Sequence, residues 1–215
     1  MTAAYLSFAD FQEDLDRPEG TSLPERERRD RSEQDPPSDE QGNDAHWIAR
    51  IRGGDETAYR ELVLTHFVPL VRYALTILPV RADAEDVVQE TLARIWTGRE
   101  AWSPTGPLRA SLFAAVRNRA LNVLRHEGVA RRYAAVMALA SETPSASSAS
   151  QDDRVEQLER LLPQLTERQQ TALALRYEHG MRHSEIAHTL GISLRAAEQL
   201  VMRALATLRS GMQER

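Results

Sequence analysis

The run from His183 to Arg209, HSEIAHTLGISLRAAEQLVMRALATLR, constrains the chain more than any other stretch, because its punctuation favours two helices joined by a tight turn. Ser184 is placed to cap the first helix, a side-chain oxygen there satisfying backbone N–H groups that lack a helical partner. Ile186, Ala187 and Leu190 form its apolar stripe at helical spacing. Gly191 supplies the left-handed residue that stops it, Ile192 fills the corner, and Ser193 caps the second helix. In that helix Ala197, Leu200, Val201, Ala204, Leu205 and Leu208 are expected to face inward. Arg195, Glu198, Gln199, Met202 and Arg203 are then left on the outer face. A compact turn followed by a polar, arginine-bearing helix is the layout of a DNA-reading helix-turn-helix. For this segment taken alone, an ordinary helical hairpin is the alternative.

At 215 residues the chain has room for one large domain or two small ones. It has no cysteine, so disulfides and thiolate metal sites are excluded, which is compatible with a reducing compartment. No apolar run approaches the ~20 residues that span a bilayer, and the N-terminus lacks a signal-peptide pattern. The expectation is a cytoplasmic protein with no membrane insertion. The net charge of −5 looks wrong for a DNA binder, but its distribution matters more. Residues 1–44 carry 13 acids and 5 arginines, whereas the rest carries 19 acids and 22 arginines. A nearly neutral core with local basic faces therefore follows an acidic extension, and phosphate neutralisation by such a core is weak.

Residues 1–43 hold a short apolar start (Tyr5, Leu6, Phe8, Phe11, Leu15) and then a charged run with Pro18, Pro24, Pro36 and Pro37. That composition does not offset its chain entropy, so the extension is expected to be disordered, with at most a transient helix over Tyr5–Leu15. From Asp44 the pattern turns helical. Trp47, Ile48 and Ile51 mark a first helix ended by Gly53-Gly54, and Asp55 caps a second that Pro69 is expected to kink. Asp83 caps a third, Ala84 to Trp96, with Val87, Val88, Thr91, Leu92, Ile95 and Trp96 as its stripe. A loop containing Trp102 leads to a fourth, Leu108 to Arg125. Four helices in ~80 residues enclose one core. Residues 128–151, ending in SETPSASSASQ, read as a flexible linker, helical in part before Ala140. Residues 152–215 form a second domain, in which Thr166 and Gln169 make a capping box ahead of a helix reaching about His179. The fold class is all-α, two small helical domains joined by a flexible linker.

Two surfaces stand out. Glu85, Asp86, Gln89 and Glu90 share one face of the third helix, opposite Val87, Val88 and Ile95. The helix dipole accounts for the first two acids, and the whole face is either solvated or a dock for a basic partner. On the fourth helix Leu112, Val116, Ala120 and Val123 occupy one arc, and Asn118, Arg119, Asn122 and Arg125 another. Amide and guanidinium groups together are what hydrogen bonding to bases and phosphates requires. His179, His183 and His188 straddle a turn without cysteine or suitably spaced carboxylate, so no metal site is expected. No phosphate loop or nucleophile elbow is present, and neither a cofactor nor catalysis is expected.

Taken together, DAEDVVQETLARIW (Asp83–Trp96), LFAAVRNRALNVLR (Leu112–Arg125) and the run from LPQLTERQQ to Arg209 resemble bacterial sigma factors of the extracytoplasmic-function (ECF) group. The likeness covers roughly Asp44 to Arg209, in order. It implies a promoter-melting and core-binding domain over 44–127 and a helix-turn-helix domain over 152–215. It also implies that Glu85, Asp86, Gln89 and Glu90 dock on the clamp helices of the largest β-type subunit of RNA polymerase. Trp102 in its loop, with Asn118, Arg119, Asn122 and Arg125, would open and read the −10 element. Arg195, Glu198, Gln199, Met202 and Arg203 would read the −35 element, and an anti-sigma factor, in some members membrane-bound, would hold the chain inactive. The sequence departs from the family pattern at Ser111, where an aromatic residue often stands, and at Glu198 and Leu200, where basic residues are frequent. Two rivals are a stand-alone dimeric helix-turn-helix regulator, which leaves Glu85–Glu90 unexplained, and a sigma-like adaptor, which Asn118, Asn122 and Arg203 count against.

Overall fold

Every regular element among the described residues is helical, in keeping with the expected all-α class. The structure is a computed structural model. It describes residue 11, residues 14 and 15, residues 39–134, residues 157 and 158, and residues 160–213; for 39–43 and 126–134 it describes the backbone alone. The helices are α1 (Asp39–Arg52), α2 (Glu56–Leu75), α3 (Arg81–Thr97), α4 (Leu108–Ala134), α5 (Glu167–Leu173), α6 (His183–Leu190) and α7 (Leu194–Gln213).

Several boundaries follow from local chemistry as expected. Asp55 caps α2 by accepting from the Thr57 and Ala58 amides at 2.9 and 3.0 Å, and its Arg50 partner lies at 2.8 Å. The Ala58 amide first, then Arg50, holds its carboxyl below the usual carboxylate range. Helix α2 runs through Pro69 without a break. The Thr166–Gln169 capping box is present at the start of α5. Gly191 adopts φ 67°, ψ 41°, and the Ile192 amide reaches back to the Ala187 carbonyl at 3.0 Å, so the helix stop is a glycine-based Schellman closure.

Other boundaries moved. Helix α1 begins at Asp39, inside the stretch expected to be disordered, and Phe11, Asp14 and Leu15 are helical too. The rest of that extension lies outside the described residues. Asp83 is not a cap: α3 starts two residues earlier at Arg81, and Asp83 sits in its first turn, where the dipole favours an acid. Ser184 is likewise inside α6; Glu185 does the capping by accepting from the Arg182 amide at 2.9 Å. Helix α4 runs to Ala134, because nothing in HEGVARRYA after Arg125 breaks it except one tolerated glycine. The expected linker beyond residue 134 lies outside the described residues. After α5 the backbone widens into a π-helical turn, Ala174–Glu178, closed by the His179 amide on the Ala174 carbonyl at 3.1 Å.

The described chain divides into two compact units. One comprises Ser22–Arg125 with Met181–Leu194, the other Met1–Thr21, His126–Gly180 and Arg195–Arg215. Helix α6 falls in the unit that holds α1 to α3 and the start of α4. Thr189 Oγ1 donates to the Ala110 carbonyl at 3.3 Å, and Ser111 Oγ lies 3.2 Å from His188 Nε2. In this first unit Ile51, Leu62, Leu70, Tyr73, Val88, Leu112 and Phe113 are fully buried, with the Tyr73 and Phe113 rings 5.1 Å apart. Asp44 ties α1 to α4 by accepting from the Leu108 amide at 2.8 Å, satisfying a donor that α4 itself leaves free. The second unit buries Leu158, Leu161, Leu165, Ala172, Leu175, Ala197, Val201, Ala204 and Leu208.

Candidate nucleic-acid interface

Helices α3 and α4 and the loop between them line an open cavity of about 470 Å³. Trp102 lines it from the loop, Asn118, Arg119 and Asn122 from α4, and Thr91, Arg94 and Ile95 from α3. Thus four of the five residues expected to act on the −10 element converge on one hollow. Arg125, one turn further along α4, is exposed and not among the lining groups. Sequence reasoning missed Arg94, Ser111 and Ala115 as lining groups. Arg94 was within reach of pattern reading, since it stands four residues after Glu90 on the same helix.

The expected polymerase-docking face divides in two. Asp86 and Gln89 are exposed, whereas Glu85 and Glu90 are half-buried. Glu85 is paired with Arg81 at 2.7 Å. Glu90 accepts from Arg94 at 2.9 Å and also from Arg119 across the helix pair. The acid assigned to one surface therefore holds the arginine assigned to the other. Beside the cavity the Arg99 guanidinium stacks on Trp96, 4.7 Å from the ring centroid, and donates to the Trp96 carbonyl at 3.1 Å. That clamp stiffens the start of the loop carrying Trp102.

In the other unit, Arg195, Gln199, Met202 and Arg203 are exposed on one face of α7, and Met202 shows 58% of its surface. Glu198 is half-buried. Of the residues expected to face inward, only Leu200 is not fully buried. Among the described residues no group of His, Asp and Glu side chains is arranged to hold a metal ion. None of their helices is long and apolar enough to cross a membrane.

Comparison with known proteins meets this geometry. Residues 62–133 match the model of Sigma-70 region 2, and residues 155–208 match that of Sigma-70, region 4. The ECF RNA polymerase sigma factor SigL of Mycobacterium tuberculosis is 31% identical over 176 residues, covering 78% of this chain and 97% of SigL. CnrH, solved in complex with the cytosolic domain of CnrY, superposes with a TM-score of 0.56 at 25% identity, covering 79% of this chain and 96% of CnrH. The sigma factor RpoE of Bartonella quintana, solved with the anti-sigma factor NepR, shares the fold at a TM-score of 0.56 and 23% identity, over 73% of this chain and 98% of RpoE. The dimeric-regulator reading is not favoured by these likenesses. The chain belongs to the ECF sigma factors, which direct RNA polymerase to promoters.

Proposed function

We propose that the α3–α4 cavity receives an unstacked base of the −10 element, and that this pocket is where the chain opens its promoter. The observation that carries the reading is the lining: an indole, two side-chain amides and two guanidinium groups around about 470 Å³. The size falls in the range of small-ligand pockets, and a base needs an aromatic face plus hydrogen-bonding edges. Duplex edges are out of reach of such a hollow, so the base must leave the stack first.

The remaining roles attach to the same frame. Asp86 and Gln89 dock on the clamp helices of the polymerase largest subunit, with Glu85 and Glu90 completing the face. Arg195, Glu198, Gln199, Met202 and Arg203 meet the −35 element as duplex, amide and guanidinium reading base edges while charge positions the backbone. The chain performs no catalysis of its own, works in the cytoplasm, and is restrained by an anti-sigma factor, as CnrH and RpoE are solved with CnrY and NepR.

The test places a fluorescent aminopurine at each position of a promoter −10 element in turn and adds polymerase holoenzyme. One position should brighten with the wild-type chain, as the base leaves the stack, and lose that signal with Asn122→Ala. If no position responds to the wild-type chain while transcription proceeds, the cavity does not hold a base.

A further inference from the structure

We propose that Phe11, Asp14 and Leu15 form a built-in helical ligand that occupies a docking groove on the C-terminal unit, made by Tyr177 of the π-helical turn and Arg209 of α7. The three residues follow the i, i+3, i+4 spacing by which amphipathic helices seat in grooves. The Phe11 ring packs edge-on against Tyr177 at 4.8 Å and 65°. The Tyr177 hydroxyl donates to Asp14 Oδ2 at 2.8 Å. Arg209 donates to the Leu15 carbonyl at 3.2 Å and, with its other arm, to the Asp14 carbonyl. Leu15 is only 5% exposed.

Two features mark this contact as a designed seat. Leu175 and Tyr177 are two residues apart and project to roughly opposite sides of their turn, yet both are buried. Tyr177 therefore needs a second cover, and Phe11 and Asp14 supply it. The other feature lies in the chain itself. Position 18 is proline, which has no N–H to offer a carbonyl of the preceding turn. Arg209 donates to the Asp14 and Leu15 carbonyls, and a cation suits helix carbonyls. Docking pins the head of the acidic extension to the unit that carries Arg195, Gln199 and Arg203.

The proposal does not rest on the promoter reading, since its test involves neither polymerase nor DNA. A fluorescein-labelled peptide of residues 5–20 is titrated into three full-length chains: wild type, Phe11→Ala, and Phe11→Ala with Arg209→Ala. A tethered ligand acts at a local concentration in the millimolar range, so the wild-type groove should be occupied. The peptide should bind the Phe11→Ala chain at least ~10-fold more tightly than wild type, and lose that gain when Arg209→Ala is added. Phe11 is half-buried and Leu15 is retained, so the fold should be kept, checked as an unchanged circular dichroism spectrum. In parallel, amide exchange over 174–178 should quicken in Phe11→Ala. Equal peptide affinity for wild type and Phe11→Ala, absence of binding to both, or insensitivity to Arg209→Ala would overturn the proposal.

Discussion

Around the α3–α4 cavity the charged groups are engaged with one another, whereas along α7 they stand apart. Glu90 takes both Arg94 and Arg119, and Arg99 is stacked on Trp96. By contrast Arg195, Gln199 and Arg203 are exposed on α7, and among the described residues no ion pair holds either arginine. The first arrangement fixes its side chains before any ligand arrives, which lowers the ordering cost of binding. It is concave and suits a single base out of its stack. The second leaves long side chains free to follow a groove, and it loses rotamer entropy only on contact. A change near the cavity should therefore propagate, and a change on α7 should stay local.

The largest expected effect comes from charge reversal on the α3 face. Asp86→Lys with Glu90→Lys should weaken binding to core polymerase by about a hundred-fold or more, since like-charge juxtaposition at an interface costs several kcal/mol. Asp86→Lys alone, at an exposed site, should lower core affinity while leaving the −10 aminopurine signal of the assembled holoenzyme intact. If the single change also removes that signal, docking and reading are not separable and the cavity is not an independent site.

Next come the reading groups. Trp102→Ala should slow promoter opening by the loss of one stacked base, ~1–3 kcal/mol, with closed-complex affinity little changed. Gln199→Ala should change base preference in the −35 element by ~1–3 kcal/mol. Arg203→Ala should instead weaken all sequences alike and reduce the salt slope by about 1. Double-mutant cycles sharpen the contrast. Glu90→Gln and Arg119→Ala should couple by ~0.5–3 kcal/mol, while Gln199→Ala and Trp102→Ala should add within ~0.5 kcal/mol. Additive behaviour at the Glu90–Arg119 pair, read by promoter opening, would remove the distinction drawn between the two surfaces.

What could be read in the sequence was local or periodic. The Gly191 stop, the Asp55 cap and the Thr166 box each rest on contacts within five residues, so the letters carry them. The same periodicity put Asn118, Arg119 and Asn122 on one face. It was silent on Asp44 capping α4, a contact between residues 64 apart in sequence, and on Glu90 reaching Arg119 across 29. Ser184 and Asp83 were misread because each is a good cap residue standing just inside a helix whose backbone had already turned. The Phe11–Leu15 seat escaped for a different reason. Its apolar residues looked too few to offset chain entropy, and the groove that covers them comes from residues more than 160 positions away.

The smallest effect concerns acid and belongs to the first unit. His66 on α2 is half-buried, and burial first, then the Arg109 guanidinium, hold its pKa down to about 4 from 6.5. In the unfolded chain the imidazole returns to its ordinary value, so between these two points the unfolded state binds more protons than the folded one. Stability then rises with pH across that window; it is complete above about pH 6.5 and lost as pH falls toward 4, below which no further loss comes from this group. The full shift corresponds to ~3 kcal/mol, and partial solvent access reduces the usable part to on the order of 1 kcal/mol. Carboxylates titrate in the same range, so the measurement is a difference: thermal melts of wild type and His66→Gln at pH 7.5, 6 and 5. The gap between the two chains should move in favour of the variant as pH drops, because the amide carries no proton to gain. A gap that stays constant with pH would mean that His66 is solvated enough to keep its ordinary pKa, and that acid acts on this unit through other groups.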